Sequence, residues 1–349
     1  MTQFAWPSFE PALMHFARMK SGVTAVLAKP TLLCAIVAIA CAAGGIASSQ
    51  TFPNRPIRLV VGFAPAGPAD VMARLIGQHL TSILGQGIVI DNRPGAGGTI
   101  GARAVAESDP DGYTLLLGNT STLVISPLIY KNVNYDPVKG FAPIAALGTT
   151  SNLLIVNPAL PVKSVQELIA LARAHPGKLN YASAGIGTPP HLIGEMFKQR
   201  LNLDVVHVPY KGGGPSVAAT VAGETQFSFE NPASSLPLVE AGRVRALAST
   251  SDRRSSQMPD VPTMIEAGIA DFTSVSFTGV VAPAGTPGAI VDRLNAAINA
   301  SLQSPEIAGT LVKLGVDAKI SSPQEFAAFL GAERDKWAAV IKAAGVRAE

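Results

Sequence analysis

From Ile57 onward the chain repeats one pattern: a short β-branched run, a loop rich in glycine and proline, then an amphipathic run of helical spacing. That alternation is the sequence form of an α/β fold with a largely parallel sheet, because each crossover helix carries the chain back to start another strand in the same direction. The first unit shows it. Ile57 to Phe63 predicts a strand and Phe63 to Ala69 a loop; Asp70 opens a helix with Met72, Leu75, Ile76, Leu80 and Ile83 on one face, ended at Gly85. Further strands are expected at residues 88–90, 113–117, 153–156, 179–182, 205–208, 227–229, 244–248 and 279–282. Ser164 with Glu167 and Ser322 with Glu325 have the spacing of capping boxes. Thr286-Pro287 and Ser304-Pro305 place a cap before a first-turn proline, so four helices are expected to start at these points.

A chain of 349 residues can bury two cores of ordinary size. Its first fifty residues read differently. Lys20 and Lys29 precede an apolar run from Thr31 to Ala43 that ends in small residues at Ala47-Ser48-Ser49, the layout of a secretory signal over residues 1–49. The long positive flank makes Met14 and Met19 alternative starts. Ala38-Ile-Ala-Cys41 loosely fits a lipidation box, which leaves a free periplasmic protein and a lipoprotein tethered at Cys41 both open. Both cysteines, Cys34 and Cys41, fall in this segment, so the mature chain is expected to need no disulfide. Without the segment, 24 basic residues face 23 acidic ones, and a net charge of about +1 gives nucleic acid no purchase.

No low-complexity linker separates two halves, so the domain break is sought in strands. Asn152 to Asn157 and Thr278 to Pro283 are the expected crossings. They give a discontinuous first lobe of residues 50–151 and 279–349 and a second lobe of 152–278, with the C-terminal helices folded back onto the first. Two crossings allow two lobes to hinge about a cleft.

Chemistry concentrates in four loops, each between a strand and a helix: Phe63-Ala-Pro-Ala-Gly67, Asn92-Arg-Pro-Gly-Ala-Gly-Gly98, Ser183-Ala-Gly-Ile-Gly-Thr188 and Tyr210-Lys-Gly-Gly-Gly-Pro215. In a parallel sheet such loops gather at the carboxyl ends of the strands, where helix N-termini offer amides to an anion. Ser183 and Thr188 are the side chains expected to touch the ligand, since Thr188-Pro189 reads as the cap and first turn of a helix whose free amides face the loop. Asp70 reads either as a partner of the preceding loop or a ligand amine, or as a favourable acid in the first helical turn. The run Gly95 to Gly101 is not a dinucleotide fingerprint, because that spacing needs glycine where Ile100 stands. A close glycine contact between helix and strand accounts for it. His191 and Glu195 are four apart on a helix but have no third ligand, so no metal and no cofactor are expected. Nor is there a G-x-S-x-G or H-E-x-x-H motif.

Six ordered stretches carry a family resemblance: Phe52-Pro-Asn-Arg-Pro-Ile57, Asp91-Asn-Arg-Pro-Gly-Ala-Gly-Gly98, Tyr181-Ala-Ser-Ala-Gly185, Val208-Pro-Tyr-Lys-Gly212, Pro259-Asp-Val-Pro-Thr263 and Ala282-Pro-Ala-Gly-Thr-Pro287. Through them the chain resembles the Bug-type extracytoplasmic solute receptors of tripartite tricarboxylate transport systems, from about Phe52 to the C-terminus. The resemblance implies two Rossmann-like lobes joined by two crossover strands, of the type II periplasmic-binding-protein kind. It also implies a small carboxylated solute held by loop backbone, hydroxyls and bridging waters, and membrane transporter subunits as partners of a monomeric receptor. Position by position, Phe63, Ala64, Ala66, Gly67 and Asp70 form one jaw. Ser183, Ala184, Gly187, Thr188 and His191 form the other, with Asn119, Thr150 and Asn231 as further contacts. Two departures stand out. The family's first loop has paired glycines after the proline and a hydroxyl residue before the aspartate, where this chain has Ala66-Gly67 and Ala69. Its common tryptophan before the return crossover is Phe277 here.

Two alternatives remain at this point. One is an orphan receptor feeding a signalling protein. The other is an exported α/β hydrolase using Ser183 or Ser121, for which the sequence shows no base beside the nucleophile.

Overall fold

The computed structural model of the chain describes residues 52–255 and 257–347; the export signal expected over residues 1–49, with Cys34 and Cys41, lies outside them. The chain first lays down β1 (Ile57–Val61), α1 (Pro68–Leu84), β2 (Ile88–Asn92), α2 (Thr99–Ala106) and β3 (Thr114–Asn119). A π-helical turn at Ser121–Ile125 and the short α3 (Ser126–Ile129) lead to β4 (Phe141–Ser151). Then come β5 (Leu153–Val156), α4 (Val165–Ala174), β6 (Asn180–Ser183), α5 (Pro189–Leu201), β7 (Val206–Pro209), α6 (Gly213–Ala222), β8 (Phe227–Glu230), α7 (Pro232–Glu240) and β9 (Arg245–Ser249). Strand β10 (Val275–Pro283) precedes α8 (Gly288–Leu302), α9 (Pro305–Lys313), β11 (Asp317–Ala318) and α10 (Pro323–Ala344).

These strands form two sheets, one ordered β11-β4-β10-β3-β1-β2 and the other β7-β6-β8-β5-β9, each the core of a lobe. The alternation along β1 and β3 explains the layering. Ile57, Leu59, Val61, Leu115 and Leu117 bury against Met72, Ile76 and Leu80 of α1, while Val60 and Leu116 point the opposite way beside Ala102 and Val105 of α2. Each such side chain stabilises the fold by about 1.5–3 kcal/mol relative to exposure.

The sheets are mixed, which corrects the expectation of a largely parallel one. β1 runs parallel to β2 and β3, and β6 to β7 and β8, but β10 is antiparallel to β3 and β4, and β5 is antiparallel to β8 and β9. The crossings are the reason. The parallel strands end at the cleft, so β5 and β10, which enter their sheets from the cleft, must run against them.

Strand β10 pairs with β4 from Val275↔Ser151 to Pro283↔Phe141, so residues 275–278, expected in the second lobe, lie in the first sheet. The connection itself is a staple around Thr250. Its amide and hydroxyl bond Asn152 O and Ser274 O (2.9 and 2.5 Å), and it accepts from the amides of Asn152 and Ser274 (2.9 and 2.8 Å).

Helix starts follow the sequence closely. Ser322 and Glu325 complete a reciprocal capping box, whereas Ser164 caps Glu167 while the Glu167 carboxylate turns back to the amide of Lys163. The helix expected to be capped by Thr286 has Pro287 in that place, and the Thr286 hydroxyl bonds Pro283 O instead. Helix α10 does more than return to the first lobe. Phe326 and Trp337 join a buried cluster that also holds Leu116 of the first sheet and Tyr181 and Phe197 of the second lobe, and Gln199 of α5 donates to Val340 O.

Candidate functional site

The strand ends and helix starts of both lobes enclose a cavity of about 590 Å³. From the first lobe come Ala66, Pro68, Ala69, Val71 and Met72 around the start of α1, Asn119 to Ser121 after β3, Thr150, Ser276 to Thr278, and Leu314 and Val316. Pro189, Gly213, Asn231, Ala233 and Ser234 come from the second. None of these residues is charged. The lobes also touch beside the cavity: a Cβ at Gly187 would lie 2.5 Å from Ile129 Cδ1, and Gln257 of the second lobe donates to Val312 O at 2.6 Å. A concavity of about 490 Å³ at the opposite end of the first sheet is lined by Arg55, Arg58, Asp111 and neighbours; there Arg55 is already paired with Asp111 at 2.8 Å and stacked on Tyr113.

The first-lobe jaw is built around Asp70, which is 2% exposed. Its carboxylate accepts from the Ala66 amide (2.9 Å), Arg74 Nε (2.8 Å) and Asn92 Nδ2 (3.0 Å). The Arg74 guanidinium, followed by the Ala66 amide, holds its pKa down at about 2. All of this fixes the loop, and Asp70 also stands as the acid in the first turn of α1. Ala66 itself sits at φ +63°, a left-handed conformation that favours glycine, and its bond to Asp70 holds it there. Phe63 packs its ring on Gly98, and the expected glycine contact is present, with Gly98 Cα 2.7 Å from where a Cβ of Gly62 would stand.

Helix α1 starts at Gly67 with Pro68 in its first turn, and Val71 takes the Gly67 carbonyl. Among the described residues, no protein acceptor takes the amides of Ala69, Thr120, Ser121 or Gly213. These lie in the first turns of α1, the π-turn and α6, where unpaired amides and the positive helix end favour an anion. Asn119 spends its Oδ1 on the Thr122 amide and hydroxyl, leaving its Nδ2 as a further donor.

The second-lobe jaw is held differently. Ser183, fully buried, has its Oγ 2.6 Å from His207 Nε2 and 3.1 Å from the Gly185 amide. His207 stacks between Tyr181 (4.8 Å) and His191 (4.0 Å), and the Gly187 amide donates to His191 Nδ1. Behind them the Tyr181 hydroxyl donates to Glu195, which is also bonded to Lys198. Burial, with the neighbouring His191 adding to it, pushes the His207 pKa down to about 4; His191 is lowered mainly by burial. Both rings are therefore neutral at pH 7, with the His191 proton on Nε2.

The expected site residues fall into two groups. Ala66, Asn119, Thr150 and Asn231 line the cavity. Phe63, Ala64, Gly67 and Asp70 belong to the same loop and helix start but are not among the lining residues. Ser183, Ala184, Gly187, Thr188 and His191 also lie outside the lining, and Ser183 and His191 are occupied by each other's neighbourhood. The row of free amides expected after Thr188 is reduced to that of His191, because Pro189 and Pro190 have no N–H; the Thr188 hydroxyl bonds Gly185 O at 2.7 Å. A base does stand beside Ser183, contrary to the sequence reading: parallel pairing of β6 with β7 brings His207 to it. Ser183 has no exposed surface, and among the described residues no carboxylate is bonded to His207.

This pattern of two sheets, twin crossings and a cleft of strand ends coincides with a match over residues 72–346 to the family described as the tripartite tricarboxylate transporter family receptor. The chain belongs to that family. Protein BugT of Bordetella pertussis is 37% identical over 321 residues, covering 91% of this chain and 98% of its own. An R. palustris protein solved with adipate is 37% identical with a TM-score of 0.72, covering 85% of this chain and 99% of its own. MatC from Rhodopseudomonas palustris, solved with bound malate, is 34% identical with a TM-score of 0.69, covering 83% and 100%. Members of this receptor family bind solutes and are not enzymes. Among the described residues of this receptor, no helix is long and apolar enough to cross a membrane.

Proposed function

We propose that this receptor captures a small carboxylate in the 590 Å³ cavity and presents it to membrane transporter subunits, acting as a monomer and without catalysis. One observation carries the reading: residues with unclaimed amides, Ala69, Thr120, Ser121 and Gly213, all line a single cavity that holds no charged side chain. A carboxylate satisfies such donors, at about 1.5–3 kcal/mol for each charge-assisted bond, so four or five contacts reach the roughly 8 kcal/mol of micromolar binding. The adipate and malate found in relatives support the same chemistry. The ligand contacts are Ala69, Asn119, Thr120, Ser121, Thr150, Gly213 and Asn231, with the loops at Phe63–Asp70 and Ser183–His191 as their supports. The lobes divide at Asn152 and in the connection before Val275. Export to the periplasm by residues 1–49 supplies the location, as a free protein or through a lipid on Cys41.

A thermal-shift screen of the purified protein against mono-, di- and tricarboxylates, aromatic acids, amino acids and amides tests this, since a ligand that binds the folded state raises the melting temperature. A dose-dependent rise with an acid, weakened in Asn119→Leu, is expected. A rise with neutral solutes alone would overturn the anion reading, and turnover of an ester lost in Ser183→Ala would overturn the absence of catalysis.

A further inference from the structure

The cavity differs at its two ends, and we infer that the end beside β11 is a subsite for an uncharged, apolar tail, with Leu314 and Val316 selecting which acids are accepted. This rests on the carboxylate reading above and narrows it to amphiphilic monocarboxylates. Sheet register orders the floor of the cavity. Thr278 lies opposite Asn119, Ser276 opposite Thr150, and Thr149 opposite Asp317, the residue after Val316. Across the order β11-β4-β10-β3-β1, the floor thus runs from Val316 to the start of α1 over four strand spacings, about 19 Å.

The unclaimed first-lobe amides, those of Ala69, Thr120 and Ser121, belong to the β3–β1 end. Among the described residues that line the β11 end, the helix start is that of α7, brought there beside Gly315, whose Cβ position is 3.6 Å from Pro232. That helix start is closed. The Ala233 amide bonds Asn231 Oδ1 at 2.9 Å, and the amides of Ser234 and Ser235 bond Asn231 O at 3.0 and 3.2 Å. What remains is the side chains of Leu314 and Val316, the hydroxyls of Thr150, Ser276 and Ser234, the last already donating to Asn231 O, and the Asn231 Nδ2. These suit a hydrocarbon or a neutral polar group, whereas a second carboxylate would be desolvated there without a cation or an open helix end.

Isothermal titration of the purified protein with matched pairs, hexanoate against adipate and 4-methylbenzoate against terephthalate, reads the inference directly. The monoacid of each pair is expected to bind at least tenfold tighter. Leu314→Lys, at a half-buried position, should reverse that order, and Leu314→Ala should weaken the monoacids by a larger factor than it weakens acetate. Equal affinities, a preference for the diacids, or an unchanged ratio in Leu314→Lys would overturn the subsite while leaving the carboxylate reading standing. Absence of binding by every acid in both pairs, acetate included, would overturn both.

Discussion

The two jaws of this receptor have the same sequence design, a strand, a Gly/Pro loop and a helix opened by proline, yet they are braced by opposite chemistry. The first-lobe loop is tied by an ionised carboxylate, Asp70, with its pKa held at about 2. The second-lobe loop is tied by two neutral imidazoles, His191 and His207, and elsewhere in that lobe Glu230, at the end of β8, is a buried carboxyl raised to about 7 by desolvation, with Ser216 donating to it. The lesson is that identical loop grammar leaves the electrostatics of a jaw undetermined. The first brace stays ionised until pH falls below 3.8; the second weakens as pH falls from 6.5 toward 4.

Removing the first brace should have the largest effect. Asp70→Ala orphans the Ala66 amide and releases Asn92 and Arg74, for an expected loss of about 3 kcal/mol in urea unfolding. A loss below about 1 kcal/mol would mean that the loop holds itself. Glu230 comes next. Its raised pKa means stability is complete below the unfolded value near 4.5 and falls as pH rises through about 7, so Glu230→Gln should gain about 2–3 kcal/mol at pH 9 and nothing at pH 4. An equal effect at both pH values would remove the carboxyl's ionisation as the cause.

On the acid side the sign reverses for the histidines. Their lowered pKa values give stability that is present above 6.5 and lost as pH falls through about 4, while Asp70 contributes no loss until pH drops below 3.8. The wild type should therefore lose about 2 kcal/mol between pH 6.5 and 4, after allowing for solvent screening of a half-buried ring, and His207→Phe should flatten that slope. A slope unchanged in the variant would place the acid sensitivity elsewhere. Smallest of all, Ala66→Gly relieves the left-handed strain but loosens the unfolded chain, for a net gain under about 1 kcal/mol in the same unfolding measurement.

The local grammar was legible. Strand periodicity, the Ser322 capping box and a close glycine contact within the run Gly95 to Gly101 were all readable along the chain, while its partner Gly62 was not. Strand β4 was missed because Phe141–Ser151 mixes Pro143, Gly148 and alanines into a run that is stabilised only by β10 and β11 on either side. His207 was missed as the partner of Ser183 because the two are 24 residues apart and meet through parallel pairing. The prolines at 189 and 190, by contrast, were visible, and they alone rule out a row of amides after Thr188.

What the sequence by itself determined is therefore the alternation that sets the fold class, the places where helices start, and the family signature in the loops. These depend on neighbours within a few residues, where backbone dihedrals, caps and hydrophobic period act. Only the tertiary structure decided which loop residues face the cavity, that the sheets are mixed, and that Leu314 and Val316 stand across the floor from Asn119. Those outcomes depend on the order in which strands pair and on which helix-end amides find acceptors, and both are settled by packing between segments far apart in the chain.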